Sequence, residues 1–170
     1  MRTLSLRSFA TVLAAVALLC VATPALAGNV DKPLPFHGEF TTPAGPPPEP
    51  TITCETGIPS AGEGTGHASH LGAFTFRAEW CMNLPVTEVG FTTVVAANGD
   101  ELYNTWTSEA EFAPDGSMHF TNYFTFTGGT GRFENATGHV VATGVAYPDG
   151  SSTASWEGTL AYDASDRRKG

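Results

Sequence analysis

The sequence predicts an all-β fold, an antiparallel sandwich or barrel, from three observations. Apolar and polar residues alternate with a period of two, recognisable turn recipes separate the alternating runs, and no long stretch past the first residues shows the 3.6-residue period of an amphipathic helix. Successive strand side chains point to opposite faces, so such alternation gives each strand one apolar and one wet face. Phe74, Phe76, Ala78 and Trp80 oppose Thr75, Arg77 and Glu79. Leu102, Trp106, Ala110 and Phe112 oppose Tyr103, Thr105, Thr107, Glu109 and Glu111. Met118, Phe120, Phe124 and Phe126 oppose His119, Thr121, Tyr123, Thr125 and Thr127, and Trp156, Leu160 and Tyr162 oppose Ser155, Glu157, Thr159 and Ala161.

Turn chemistry falls between these runs. Asn98-Gly99 is a hairpin signal, because both residues tolerate positive φ. Pro114-Asp115-Gly116 and Pro148-Asp149-Gly150 repeat one recipe: Pro fixes φ, Asp bonds back to the chain, and Gly takes the left-handed position. Two segments read as non-strand. Residues 42–50 hold five prolines and cannot join a central ladder, so they form an exposed loop of polyproline character. Residues 60–66, rich in glycine, read as a flexible loop.

The N-terminus has the pattern of a secretory leader. Arg2 and Arg7 precede an apolar run from Phe9 to Val21, and Ala25-Leu26-Ala27 supplies the small residues of a cleavage site between Ala27 and Gly28. The apolar run is too short for a membrane span and Pro24 follows it closely. Cys20 lacks a small residue just before it, which argues against lipidation. The expected organisation is a leader over residues 1–27, one β domain over 28–163, and a frayed tail over 164–170. The chain has 8 Lys and Arg against 17 Asp and Glu, a net charge of −9. Loss of the leader removes two of the positive charges, and Arg167, Arg168 and Lys169 crowd the tail, so the folded body is strongly acidic. Neither a nucleic acid nor an anionic membrane suits such a surface, because phosphate neutralisation needs Lys and Arg. Cys54 and Cys81 remain as an even pair in an oxidising compartment and are expected to be bridged; a metal pair completed by histidine is the alternative.

The stretch TGGTGRFENATG, Thr127 to Gly138, looks at first like a nucleotide loop. Neither G-x-x-x-x-G-K-[ST] nor G-x-G-x-x-G fits its spacing, and residues 139–146 read as a strand rather than a helix. It reads better as a reversal: Gly128 and Gly129 end a strand, Phe133 plugs an apolar interior, and Gly138 permits a sharp bend as the next strand opens. At these residues the chain resembles a known family. Gly128-Gly129-Thr130-Gly131-Arg132-Phe133, followed by Gly138, is similar to the GGTG-x-F turn of allene-oxide-cyclase-like barrels and plant dirigent proteins. Residues 64–76 and 96–109 resemble segments that recur in secreted bacterial proteins of the same barrel type. The resemblance implies a closed, eight-stranded, antiparallel calycin-like barrel over about Pro35 to Tyr162. The plant members cyclise an epoxide fatty acid or steer radical coupling. Their catalytic side chains match no position here, so the resemblance implies the fold and no catalytic residue.

A barrel of that size is either filled by its side chains or holds one small ligand. Phe74, Phe76, Trp80, Trp106, Phe120, Phe124, Phe126 and Trp156 are the inward rings, and they line a pocket if they leave a void near one mouth. The expected function is therefore a secreted barrel that binds a small apolar or aromatic ligand, without cofactor or metal. Cyclase or isomerase chemistry in the same cavity, and a packed barrel acting as an interaction protein, are the alternatives. Oligomeric state is left open. His67 and His70 would share a face only on a helix and therefore make a poor metal pair here. Glu109 and Glu111 have the look of a wet outer face rather than an acid–base pair. No G-x-S-x-G elbow is present, and Asn135-Ala136-Thr137 is a glycosylation sequon.

Overall fold

A computed structural model describes residues 32–163, the side chain of Glu88 excepted. The leader expected over residues 1–27, with cleavage expected between Ala27 and Gly28, and the tail expected over 164–170 lie outside the described residues. Eight strands follow in order: β1 (Leu34–Thr42), β2 (Ile58–Ala68), β3 (Gly72–Met82), β4 (Val86–Val95), β5 (Glu101–Phe112), β6 (Met118–Gly129), β7 (Thr137–Ala146) and β8 (Ser152–Ala161). Each pairs antiparallel with the next, and β1 pairs with β8 from Leu34↔Leu160 to Thr42↔Ser152, closing the barrel. Closure leaves no strand edge open to another chain.

Up-and-down order sends alternate connections to opposite ends. One end, the floor, holds the turns after β2, β4 and β6, together with the start of β1 and the end of β8. The other, the mouth, holds the long β1–β2 loop over 43–57 and the turns after β3, β5 and β7. The Pro-Asp-Gly recipes operate as the sequence predicts, whereas in the Asn98-Gly99 turn the glycine takes positive φ and the asparagine does not. Gly99, Gly116 and Gly150 take φ of 88°, 84° and 87°. Asp115 Oδ1 accepts Ser117 N and Oγ at 2.9 and 2.6 Å, and Asp149 Oδ1 accepts Ser151 N and Oγ at 2.9 and 2.7 Å. These bonds, the serine hydroxyl's first, hold both carboxyls below the usual carboxylate range.

The glycine stretch turns the chain. Gly128 and Gly131 take φ of 121° and 53°, and residues Gly131–Phe133 form a single 3₁₀ turn. That turn delivers Phe133 into the floor, where it is 0% exposed and meets Tyr162 at 5.2 Å between ring centroids. Leu71, Val94, Leu102, Leu160 and Phe36 fill the same layer. Arg132 covers it from outside, with its guanidinium 4.7 Å above the Phe133 ring and Nη2 donating to His70 O at 2.9 Å. The floor is thus a packed plug.

Two expectations are corrected. Residues 60–66 are not a flexible loop; they lie in β2, paired with β3 from Ser60↔Trp80 to Gly66↔Phe74. Gly64 faces Phe76 and Gly66 faces Phe74, and a Cβ at either glycine would run into the opposing ring and a β1 carbonyl. Glycine here makes room for the aromatic side chains of the next strand, which hydropathy patterning cannot register. Gly90 under Trp106 and Gly144 under Phe120 repeat the device. Phe112, expected to face inward with Trp106, is 60% exposed, because it is the last residue of β5 and stands past the end of the enclosed interior. Gly66→Val should lower stability by about 1–3 kcal/mol through overpacking. Thr65→Val, on the exposed wet face one residue away, should stay within about 0.5 kcal/mol. Urea unfolding of the two variants checks the difference.

Candidate functional site

Toward the mouth the inward rings stop short of filling the barrel and enclose a cavity of about 780 Å3. Phe76, Trp80, Trp106, Phe120, Phe124 and Trp156 line it. Their rings run in sequence, Trp80 to Trp106 at 5.7 Å, Trp106 to Phe124 at 5.9 Å and Phe124 to Trp156 at 5.3 Å between centroids. Trp106 is fixed by a buried bond from Nε1 to Thr92 Oγ1 at 2.9 Å. Phe74 and Phe126, the other two of the expected lining, sit deeper. Phe74 packs on Trp156 and Phe126 on Phe36, within the filled half. The barrel is therefore both things the sequence left open: packed below and hollow above.

One wall of the cavity is polar. Thr87 pairs directly with Ser108, and Ser108 with Asn122, so three adjacent strands present a row of hydrogen-bonding side chains inward. Thr87 and Ser108 are 6% and 8% exposed, and among the described residues no protein group bonds to any of the three side chains. Deeper on the same face of β5 lies Asn104, 2% exposed, with neither Nδ2 nor Oδ1 partnered.

A lid covers the opposite side. The β1–β2 loop brings Pro43, Pro46, Pro47, Pro48 and Pro50 against the cavity. Proline restricts φ before as well as after folding, so ordering this segment costs less entropy than ordering another sequence would. Gly45 N donates to Asp149 O at 3.0 Å, fastening the loop to the β7–β8 turn. Beyond the mouth the loop is clamped to the wet face of β3. Thr51 N donates to Glu79 Oε1 at 2.9 Å, Thr51 Oγ1 to Glu79 Oε2 at 2.8 Å, and Arg77 Nη2 to Glu49 O at 2.7 Å and Glu79 Oε1 at 2.9 Å. Cys54 and Cys81 form a disulfide just beyond this clamp.

The Thr51 amide first, and then Arg77, hold the Glu79 carboxyl below the usual carboxylate range. A carboxyl depressed by folding contributes stability that is present above its unfolded pKa and is lost as pH falls through the lower folded value. The clamp should accordingly loosen on acidification below about pH 4. Glu79→Gln should loosen it already at neutral pH. Protection of the Thr51 amide against hydrogen exchange, corrected for intrinsic rate, reports both effects.

The other candidates lie elsewhere. His67 is exposed on the outer face of β2, whereas His70 sits in the β2–β3 turn at φ 68°, with Nε2 at 3.0 Å from Pro35 O and Nδ1 at 3.3 Å from the Tyr162 hydroxyl. Glu109, Glu111 and His119 are exposed on the outer wall, and Asn135 is exposed on the floor turn. Among the described residues no group of three or more His, Cys, Asp or Glu could hold a metal ion. Sequence reasoning missed the polar row and left open whether the proline-rich loop caps the mouth. Ser108 shares its parity with Trp106 and Asn122 shares its parity with Phe120 and Phe124, so alternation alone could have placed both inward. Thr87 could not be found that way, because the register shifts between Thr87 and Gly90. The chain matches no protein-family model, and no curated protein or solved structure is significantly similar to it.

Proposed function

We propose that this protein is a secreted binding protein that takes a small apolar or aromatic ligand into the barrel mouth. The observation that supports this best is the cavity of about 780 Å3, walled by a belt of rings and roofed by a proline-rich lid. Small-molecule sites fall in the range of about 300–1,000 Å3 and combine mostly apolar walls with a few placed polar groups. The disulfide fits an oxidising compartment, as the leader-like N-terminus requires. The cyclase reading that the family resemblance suggests asks for a proton donor or acceptor inside. Among the described side chains that line the cavity the ionisable one is Glu63, which stands at the rim paired with Arg77 on the outer face. The remaining polar lining groups are hydroxyls, indole N–H groups and an amide, which orient a ligand without exchanging its protons at neutral pH.

A neutral naphthyl ketone dye, whose emission shifts to the blue on leaving water, tests the reading. Its emission should shift on addition of the protein. Ala110→Trp, which fills the mouth without removing a ring from the belt, should weaken binding more than about tenfold while the protein stays folded. No shift with wild-type protein, or equal binding by the filled variant, would remove the proposal.

A further inference from the structure

Resting on that reading, we infer that the site selects uncharged ligands with a flat ring body and one hydroxyl or carbonyl group, which the Thr87–Ser108–Asn122 row recognises, and that it rejects carboxylates. The division of the cavity leads there. Trp80, Phe76, Trp156 and the lid prolines make one side a set of flat apolar surfaces. The row from β4 to β6, set among Trp106, Phe120 and Phe124 of the same strands, offers two hydroxyls and an amide, together able both to donate and to accept. Buried polar side chains are normally bonded within the protein, yet the buried Thr87 and Ser108 and the half-buried Asn122 have no partner there. Such groups are left for a guest, or for water that a guest displaces.

Charge sets the second half of the selection. No Lys or Arg side chain lines the cavity among the described residues, and the nearest guanidinium, Arg77, lies on the outer face with Glu63 and Glu79 already bonded to it. The chain as a whole is at −9. A carboxylate entering this cavity would lose its water and gain neutral donors only, inside an acidic protein. An alcohol, ketone or amide of the same ring size meets the same donors at far smaller desolvation cost.

Three probes of one size separate the possibilities: naphthalene, naphthol and naphthoate, each competed against the naphthyl ketone dye at neutral pH. The expected result is that naphthol binds at least about tenfold more tightly than naphthoate, and that the gap narrows as pH falls toward the carboxyl pKa of about 4. Ser108→Ala and Asn122→Leu should each weaken naphthol about three- to tenfold while leaving naphthalene unchanged or tighter, since each removes a hydrogen-bonding group from a site that still accepts the ring. Thermal melts of both variants keep loss of folding apart from loss of recognition. Naphthoate binding as tightly as naphthol, or variants that shift naphthol and naphthalene alike, would overturn the selection while leaving the cavity a binding site. Failure of all three probes on folded wild-type protein would instead overturn the binding function beneath it.

Discussion

Phe133→Ala should cost about 3–5 kcal/mol and lower the melting temperature by on the order of 10 °C. Phe133 is 0% exposed at the floor, held between Tyr162 and the Arg132 guanidinium and surrounded by Leu102, Leu160 and Val94 in the core. Truncation leaves a cavity that cannot collapse easily, because the ring descends from a turn pinned by Gly128 and Gly131 rather than from a strand that can slide. A domain of this kind has only about 5–15 kcal/mol in total, so the loss is a large share of it. Calorimetry or urea unfolding measures it. The dye affinity of the folded variant should hardly change, because the plug and the cavity occupy opposite ends of the barrel. A melting temperature within a degree or two of wild type would mean that the floor is not the packed plug described above.

Replacing Cys54 and Cys81 together by serine should cost about 3–4 kcal/mol on the chain-entropy account of cross-links. The bridge spans a sequence separation of 27, which puts it in the range where loop closure in the unfolded chain is costly. Here the second effect distinguishes it from Phe133→Ala. The disulfide lies beside the Thr51–Glu79 clamp, and without it the lid depends on that clamp, on the Arg77–Glu49 bond and on the Gly45–Asp149 bond. A lid that must be ordered on binding takes that cost out of the affinity. The double variant should therefore lose stability and also release the dye faster, by about threefold or more, in stopped-flow dissociation. Loss of stability with an unchanged release rate would separate the disulfide from the site.

Much of the fold was legible because alternation is written in side-chain hydropathy. The strands β3, β5, β6 and β8 announce themselves through Phe74, Trp106, Phe124 and Trp156, and the twin Pro-Asp-Gly turns fix two of the mouth connections. β2 was hidden for a physical reason. Its inward positions are Gly62, Gly64 and Gly66, which bear no side chain to pattern, and their meaning resides in the rings of β3 that lie over them. The site was half legible in the same way. Its rings were visible, but an inward Ser108 or Asn122 is indistinguishable by type from an outward Thr107 or Tyr123 unless parity is followed strictly. That the void is at the mouth and not at the floor depends on where Phe133 lands, and that is set by a glycine turn rather than by any pattern of apolar residues.

The pairing of Leu34 with Leu160 brings the first and last strands out of the barrel side by side, on the side away from the lid. Lys32 and Asp163 both lie at the base, so anchoring the molecule through either residue to a bead or sensor chip presents its opening to the bulk solution. Immobilisation would then leave the entrance unobstructed, and the orientation comes from chain topology without any engineered spacer.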